Sequence, residues 1–306
     1  MAKIGFLFPG QGAQTVGMAR ELDGKYPAVR ALFDRANEIL GLDLRTLCFD
    51  GPANLLEATD ISQPAIFVAS LAALEALKAE QPDVVSQCQG AAGLSLGEYT
   101  ALVFAGALDF ESGLRIVRLR GQAMQAAALA SPSGMTSVLG LDEEKIDELC
   151  RRVTALGHGR LWKANMLCPG NVVVSGDKAA LAEVEPVATE LDAMKVVPLA
   201  VAGAFHTPLM KPADEQLAKA LAESNLQLPR IPVYSNVTAA PHSEDVTRIC
   251  QLLAEQVTVG VRWDESMKRM MADGFDAFYE IGPGRVLTGL LKRIDRKMPC
   301  TSVPAP

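Results

Sequence analysis

The sequence predicts an α/β protein whose mainly parallel sheet is interrupted by a smaller, inserted α+β unit. Three observations support this prediction. Strand and helix patterns alternate over residues 1–130 and again over residues 202–306, which is typical of parallel sheets. Over residues 131–201 the order becomes β-α-β-β-α-β, the ferredoxin-like arrangement. A G-x-S-x-G pattern at residues 93–97 joins a strand to a helix, as in a nucleophile elbow.

The elements follow in chain order from apolar periodicity and from glycine and proline positions. Before the insertion, strands are predicted at 4–8 and up to residue 93, and helices at 18–40, 60–79, 97–104 and 111–128. Within the insertion, strands are predicted at 136–141, 160–167, 171–176 and 195–201, and helices at 143–155 and 179–191. After it, strands are predicted at 231–235 and within 277–284, and helices at 209–224, 244–256, 264–273 and 286–292.

Composition narrows the classes of function. A chain of 306 residues with 49% hydrophobic and 21% charged residues is typical of a large folded protein. Its net charge of −7 gives no general attraction to nucleic acid or to an anionic membrane. No run of about 18 apolar residues predicts a membrane span. The 6 cysteines lack metal-binding spacing, so we expect a cytoplasmic protein without a metal site.

Ser95, at the centre of the elbow pattern, is the candidate nucleophile. The flanking glycines allow a sharp turn that projects the serine hydroxyl, and the next helix offers free N–H groups to a developing oxyanion. The loop at residues 9–14 carries glycines but lacks the lysine of a phosphate-binding loop, so backbone N–H groups lining an oxyanion site are the better use for it. A simple Gly-Ser turn that caps a helix is the alternative.

A serine nucleophile needs a base, and the chain offers three histidines. His158 lies in a polar turn and His242 close to a predicted helix start. His206 lies in the apolar stretch AVAGAFHTPLM, where the ring stays neutral and able to accept a proton. We therefore favour His206, and a structural core histidine is the alternative.

No acidic residue is singled out to orient the imidazole. The candidates lie near predicted helix ends or surfaces, where solvation is the simpler explanation: Asp192, Asp214 and Asp264. A backbone carbonyl could orient the ring equally well.

Arg120 stands out because Gly121 follows it inside a predicted helix, where glycine costs about 1 kcal/mol relative to alanine. A close approach of another segment to the backbone would explain the glycine. An arginine at this position could bind a carboxylate with both of its terminal nitrogens. Most arginines on such a helix lie at the surface, and that alternative stays open here.

Eight segments, in this order, together resemble a known family: FPGQGAQTVGM, GLSLGEYTALVFAGAL, RLRGQAMQ, CPGNVVVSG, GAFHTPLMKPA, PVYSNV, EQVTVGVRW and YEIGPGRVLTGL. The chain resembles the malonyl-CoA:acyl-carrier-protein transacylases of type II fatty acid synthesis, and more loosely the acyltransferase domains of polyketide synthases. The segments extend from near residue 4 to near residue 294. The resemblance therefore covers nearly the whole chain.

The resemblance implies an α/β-hydrolase-like catalytic domain of residues 1–130 and 202–306, with a ferredoxin-like domain of residues 131–201 inserted into it. It implies a ping-pong transfer of malonyl from malonyl-CoA to the phosphopantetheine thiol of acyl carrier protein. Ser95 would carry the malonyl group, His206 would be the general base, and the main-chain carbonyl of Gln256 would orient His206. These are expectations about the fold and the reaction.

The resemblance also assigns substrate contacts. The backbone N–H groups of Gln11 and Leu96 would form the oxyanion hole, and Arg120 would bind the free malonyl carboxylate, which makes the carboxylate role the favoured one. The remaining expected substrate-binding residues are Phe205, which is associated with malonyl over methylmalonyl selectivity, Met124 and Asn165. Three positions depart from the family pattern and bear on substrate contacts: Leu94, Leu167 and Asn171.

The expected partners are malonyl-CoA and acyl carrier protein. We expect no nucleic acid, membrane, metal or prosthetic group, and a monomer located in the bacterial cytoplasm or, as an alternative, a mature plastid form. Two basic stretches could bind an acidic carrier: residues 292–297, with Lys292, Arg293, Arg296 and Lys297, and the pair Lys268 and Arg269. The alternative functions are a trans-acting acyltransferase for polyketide synthesis and a serine esterase or thioesterase.

Overall fold

The computed structural model describes residues 2–306, which form two β-sheets with helices packed around them. In chain order the strands are β1 (Ile4–Phe8), β2 (Cys88–Gly93), β3 (Ser133–Leu139), β4 (Leu161–Cys168), β5 (Asn171–Asp177), β6 (Lys195–Pro198), β7 (Val233–Tyr234), β8 (Ala277–Ile281) and β9 (Cys300–Val303).

The helices, also in chain order, are α1 (Arg20–Lys25), α2 (Pro27–Leu40), α3 (Leu44–Asp50), α4 (Ala53–Leu56), α5 (Thr59–Glu80), α6 (Pro82–Ser86), α7 (Gly97–Phe104), α8 (Phe110–Ala130), α9 (Glu143–Ala155), α10 (Lys178–Ala182), α11 (Val184–Glu190), α12 (Lys211–Ala222), α13 (Val246–Glu255), α14 (Trp263–Ala272) and α15 (Val286–Ile294). A short 3-10 turn, Pro208–Met210, leads into α12.

The larger sheet is parallel and has the strand order β7-β2-β1-β8-β9. Its central strand β1 is fully buried, as expected when both faces of a parallel sheet are covered. Phe8 pairs with Gly93, so β1 and β2 end at the same edge of the sheet. The glycine-bearing loop after β1 and the serine turn after β2 are therefore neighbours at the carboxyl edge, where α/β proteins place their sites.

The smaller sheet is antiparallel, with the order β4-β5-β3-β6. Together with α9, α10 and α11 it forms the predicted ferredoxin-like arrangement around its own apolar cluster. Two backbone hydrogen bonds join β4 to the segment before α14. Met166 N–H donates to the Val261 carbonyl at 2.9 Å, and Val261 N–H donates to the Ala164 carbonyl at 2.8 Å. The predicted fold class, a parallel α/β sheet plus a small antiparallel α+β unit, is confirmed; the domain boundaries stay a prediction.

Two predicted helices are wrong as single helices. The helix expected over residues 18–40 is split into α1 and α2 at Tyr26, whose backbone is extended because Pro27 follows it. The helix expected over residues 179–191 is split into α10 and α11 at Glu183, because Pro186 has no N–H to continue the ladder.

Several short elements differ from the prediction as well. The strand predicted at 195–201 ends at Pro198, and the strand predicted at 231–235 covers only Val233–Tyr234. The prediction also missed the short helices α3, α4 and α6. It missed β9 as well, a short strand that pairs with β8 at the edge of the sheet.

Helix α5 lies in the core and is locked to α8. By length and composition it could cross a membrane, but 83% of its most apolar window is buried inside the molecule, as in a core helix. Pro64 leaves the Asp60 carbonyl without its helical donor, and Arg118 of α8 donates to that carbonyl at 2.5 Å. A Cβ on Gly121 would lie 2.8 Å from the Thr59 carbonyl oxygen, so only glycine allows this contact. The glycine inside α8 is explained by this close approach.

Candidate active site

Ser95 lies on the sharp turn between β2 and α7. Its φ is 52°, a left-handed backbone conformation that residues other than glycine adopt rarely. The flanking glycines are required by space: a Cβ on Gly93 would collide with the backbone of Gly97, and a Cβ on Gly97 would collide with the backbone of Phe8. Leu94 N–H donates to the Phe8 carbonyl at 3.0 Å, which anchors the turn to β1. The turn therefore presents Ser95 at the carboxyl edge of the sheet.

His206 contacts Ser95 directly. Its Nε2 lies 2.9 Å from Ser95 Oγ, and its Nδ1 lies 2.8 Å from the main-chain carbonyl of Gln256. Because a carbonyl only accepts, Nδ1 carries the proton and Nε2 is free to accept the proton of the serine hydroxyl. The backbone of His206 is left-handed, with φ 61°, and the backbone N–H of His206 donates to the Val257 carbonyl at 3.1 Å.

The surroundings keep His206 neutral. Burial and, to a smaller extent, the positive charge of Arg120 lower the pKa of His206 to about 4. The hydrogen bond to the Gln256 carbonyl raises this pKa, but its effect is smaller. The neutral ring therefore predominates at pH 7. The three acidic residues considered from the sequence bond elsewhere. Asp192 accepts from Lys145 at 3.1 Å, Asp214 from the backbone N–H of Glu215 at 2.9 Å, and Asp264 from Lys268 at 2.7 Å.

Arg120 of α8 is buried, with only 1% of its surface exposed, and points at the same serine. Its Nη2 donates to Ser95 Oγ at 2.9 Å and to Gln256 Oε1 at 2.8 Å, and its Nη1 donates to Gln63 Oε1 at 2.7 Å. The guanidinium also lies over the ring of Tyr99, 5.5 Å from its centroid. Burial lowers the pKa of Arg120, yet an arginine side chain stays protonated in proteins.

The direct partners of this buried cation are neutral. Over residues 2–306, Arg120 forms no ion pair with a carboxylate, and its Nε has no hydrogen-bond partner. The buried carboxylate of Glu98 acts on Arg120 only at a distance, across the side chain of Gln256, so an anionic ligand in direct contact would stabilise the buried cation further. The site is therefore built to receive an anionic group next to the serine hydroxyl.

A cavity of about 420 Å³ opens in front of Ser95 and His206. Most of the other residues predicted from the sequence line it: Gln11, Met124, Asn165 and Phe205. The backbone N–H groups of Gln11 and Leu96 have no acceptor among the described residues. Of the three positions that depart from the family pattern, Leu94 lines the cavity, Leu167 packs against the core, and Asn171 accepts from Ser137 at 3.0 Å.

Three residues of this site were missed in the sequence, and a fourth, His242, was considered there only as a candidate base. Gln63 contacts Arg120, Asn236 braces the serine turn, and Glu98 and His242 form a buried pair behind it. Gln63 and Glu98 could have been suspected, because each is a polar side chain on a buried face of a helix. Asn236 and His242 lie in irregular segments, where no periodicity marks a buried face. The remaining histidine, His158, is exposed.

Comparison with known proteins gives consistent matches. The profile of the acyl transferase domain family matches residues 5–305. A malonyl CoA-acyl carrier protein transacylase of Bacillus subtilis is 41% identical over 308 residues, covering 100% of this chain and 95% of that protein. An acyl-carrier-protein S-malonyltransferase structure from Burkholderia pseudomallei has a TM-score of 0.94 at 38% identity and covers 99% of this chain and 97% of that one. A malonyl-transacylase in complex with its type II polyketide synthase acyl-carrier protein has a TM-score of 0.94 at 36% identity and covers 100% of this chain and 97% of that one.

Proposed function

The chain belongs to the acyl transferase domain family, and from that membership we propose that it transfers the malonyl group of malonyl-CoA to the phosphopantetheine thiol of acyl carrier protein. The family resemblance drawn from the ordered motifs is confirmed. The observation that carries the proposal is the buried Arg120 cation 2.9 Å from Ser95 Oγ. A malonyl thioester offers the two groups that this arrangement needs, a reactive carbonyl and a free carboxylate.

We propose that Ser95 is the nucleophile and His206 its general base. As Ser95 Oγ attacks the thioester carbonyl carbon, its proton passes to Nε2 of His206, and the C–S bond breaks to release CoA, which takes that proton. The phosphopantetheine thiol then gives its proton to His206 and attacks the malonyl-serine ester. Transfer to the carrier sulfur restores the serine hydroxyl. The Gln256 carbonyl holds the imidazole in the required tautomer throughout.

The oxyanion of each tetrahedral intermediate needs preorganised donors. We propose the backbone N–H groups of Gln11 and Leu96 for this role, since they belong to the two loops that meet at the carboxyl edge of β1 and β2. Arg120 binds the malonyl carboxylate through its guanidinium, with the thioester carbonyl directed toward Ser95. Phe205, Met124 and Asn165 line the remaining cavity and limit the size of the acyl group.

Carboxylate binding has a second consequence for the base. The charge of Arg120 is one of the causes that lower the pKa of His206. A bound malonyl carboxylate offsets that charge, so the pKa of His206 rises when the substrate is in place. The imidazole becomes a stronger base when there is a substrate for Ser95 to attack.

We propose that the carrier docks on the exposed C-terminal basic cluster, Lys292, Arg293, Arg296 and Lys297. Within the described chain none of these four residues forms an ion pair, whereas Lys268 pairs with Asp264 at 2.7 Å and Arg269 with Asp273 at 3.0 Å. Arg293 lies 3.4 Å from the Gly170 carbonyl oxygen, in the turn after β4. From this turn, β4 leads to Asn165 in the cavity, roughly 15 Å away at about 3.3 Å per residue.

A carrier of polyketide synthesis is the second candidate partner, favoured by the similarity to the transacylase in complex with such a carrier. The chemistry at Ser95 is the same for both carriers. A serine esterase or thioesterase is disfavoured, because hydrolysis of a neutral ester has no use for a buried arginine. We further propose a monomer in the cytoplasm, with residues 131–201 as a separate inserted domain.

The proposal is tested by intact-protein mass spectrometry after mixing with malonyl-CoA. Wild type should gain the mass of one malonyl group and lose it on addition of phosphopantetheinylated carrier protein, which gains it instead. Ser95→Ala should gain nothing. An adduct on Ser95→Ala would remove the nucleophile from the proposal, and release of malonate to water without transfer would indicate a thioesterase.

A further inference from the structure

The carboxylate of Glu98 is fully buried in the first turn of α7, directly behind the serine turn. Three groups contact it: Asn236 backbone N–H at 2.9 Å, Gln256 Nε2 at 2.8 Å and His242 Nε2 at 2.8 Å. Three donors on two oxygens satisfy a carboxylate well, because an ionised carboxylate is a pure acceptor. The serine mechanism derived above does not use this group.

Two of these donors belong to residues that hold Ser95. Asn236 Oδ1 accepts from Ser95 N–H at 2.6 Å, while its Nδ2 donates to the Gly93 carbonyl at 2.7 Å. Gln256 Nε2 donates also to the Ser95 carbonyl, at 3.1 Å. Glu98 therefore accepts from the backbone N–H of Asn236 and from the side chain of Gln256, the two residues whose side chains contact the backbone of the serine turn.

The side-chain amide of Gln256 also links two buried charges. Its Oε1 accepts from Arg120 at 2.8 Å, and its Nε2 donates to Glu98 at 2.8 Å. The amide dipole lies between a cation and an anion, with each end facing the opposite charge. In this orientation the main-chain carbonyl of the same residue meets Nδ1 of His206. Glu98 is thus linked, through Gln256, to the orientation of both Arg120 and His206.

His242 closes the network from the far side. Its side chain has 0% exposure, and its backbone N–H donates to the Val233 carbonyl at 2.8 Å, which fixes the loop after β7. Its Nδ1 is buried without a partner in the described chain, so the contact to Glu98 is the one polar contact found for this ring. Burying a ring nitrogen without a partner costs free energy, so we infer that the one hydrogen bond that this ring makes has a structural role.

We propose that Glu98 and His242 form a positioning pair, which orients Gln256 and Asn236 so that Ser95, His206 and Arg120 keep their reactive arrangement. This inference rests on the proposed function and adds to it two residues that never touch the substrate. Neither of them lines the cavity. Their loss should therefore slow acylation of Ser95 without weakening malonyl-CoA binding to a similar degree.

The experiment measures single-turnover acylation by malonyl-CoA in wild type and in Glu98→Gln. Glutamine keeps one acceptor oxygen and turns an NH₂ either toward His242 or toward the two donors from Asn236 and Gln256. We expect the rate constant at saturation to fall at least tenfold, with the half-saturating malonyl-CoA concentration changed less than about twofold. The matched control is Glu280→Gln, because Glu280 is equally buried and accepts from backbone N–H of Leu287 at 2.9 Å and of Thr288 at 2.7 Å, away from the serine turn. It should lower the melting temperature but acylate within twofold of wild type.

Two variants of His242 keep the test decisive if Glu98→Gln does not fold. His242→Ala removes the donor and should slow acylation severalfold, whereas His242→Gln places an Nε2 donor near the same position and should restore the rate to within about twofold. The exposed His158→Ala is the histidine control.

The outcomes separate the two proposals. Wild type that is not acylated removes the proposed function itself. Wild type and Glu98→Gln acylated at equal rates would overturn the positioning pair alone, and so would equal losses in Glu98→Gln and Glu280→Gln. No difference between His242→Ala and His242→Gln would remove His242 from the pair.

Discussion

Removing the Arg120 guanidinium should abolish the preference for malonyl over acetyl groups. Arg120→Met keeps much of the volume of the side chain and deletes the charge, so a malonyl carboxylate would enter a buried site without a cation. Breaking one side of a buried charge pair costs about 3–5 kcal/mol. At about 1.36 kcal/mol per tenfold change, the rate of malonyl loading should fall roughly 150- to 5,000-fold.

Acetyl-CoA provides the internal comparison, because its acyl group carries no carboxylate. We expect acetyl loading of Arg120→Met to stay within about threefold of wild type, since His206 and Ser95 remain in contact. The hydrogen bonds that Arg120 donates to Ser95, Gln63 and Gln256 are lost, and this loss acts on the loading of both acyl groups alike. Rapid-quench loading from each thioester, quantified by intact mass, measures both rates. Arg115→Met, an exposed arginine on the same helix, is the matched control and should behave as wild type.

The reasoning would be refuted if malonyl and acetyl loading fell in parallel. Arg120 would then act on the serine hydroxyl or on the fold, and the anion-binding role would be lost. A malonyl rate that stays within tenfold of wild type in a folded Arg120→Met would refute it equally.

Three further predictions follow from the same geometry. Because burial and Arg120 lower the pKa of His206 to about 4, kcat/KM for malonyl-CoA should keep roughly nine-tenths of its pH 7 value at pH 5, and loss with a midpoint near 6.5 would contradict this. Gly121→Ala should destabilise the protein by about 1–3 kcal/mol in chemical denaturation, because the new Cβ meets the α5 backbone at 2.8 Å; unchanged stability would show that the helices separate freely. Reversing both charges in Lys292→Glu/Arg293→Glu should raise the carrier KM roughly tenfold at low salt and leave malonyl loading unchanged, whereas Lys268→Glu, at a lysine already paired with Asp264, should change neither quantity.

The fold was predictable where local pattern and tertiary position agree. β1 and α9 have the bounds expected from periodicity, and β2 ends at the expected residue, because each is either largely buried or strongly amphipathic. The prediction failed at Tyr26 and Glu183, where one proline outweighed an otherwise continuous helical pattern. β9 was missed because four residues at a sheet edge carry too little pattern to be distinguished from a tail.

The site was predictable to the extent that its chemistry is marked in the local sequence. Ser95 is marked by glycines that the turn needs, and His206 by an apolar context. Glu98 and His242 are 144 positions apart and meet only because β7 pairs beside β2. No local periodicity encodes such a meeting. The side chains proposed to bind the reactants could therefore be named from the sequence, and those proposed to hold them in place could not.

Ser95 and His206 share the left-handed backbone conformation, with φ values of 52° and 61°. Each such residue costs about 1–2 kcal/mol relative to a relaxed backbone. Glycine would adopt both conformations without strain, and it would also eliminate the chemistry. At Ser95, where glycine would remove little volume, selection for thermostability alone would thus favour a protein without the proposed nucleophile. Directed evolution of this protein must therefore measure catalytic turnover at every round, since the most stable variants include inactive ones.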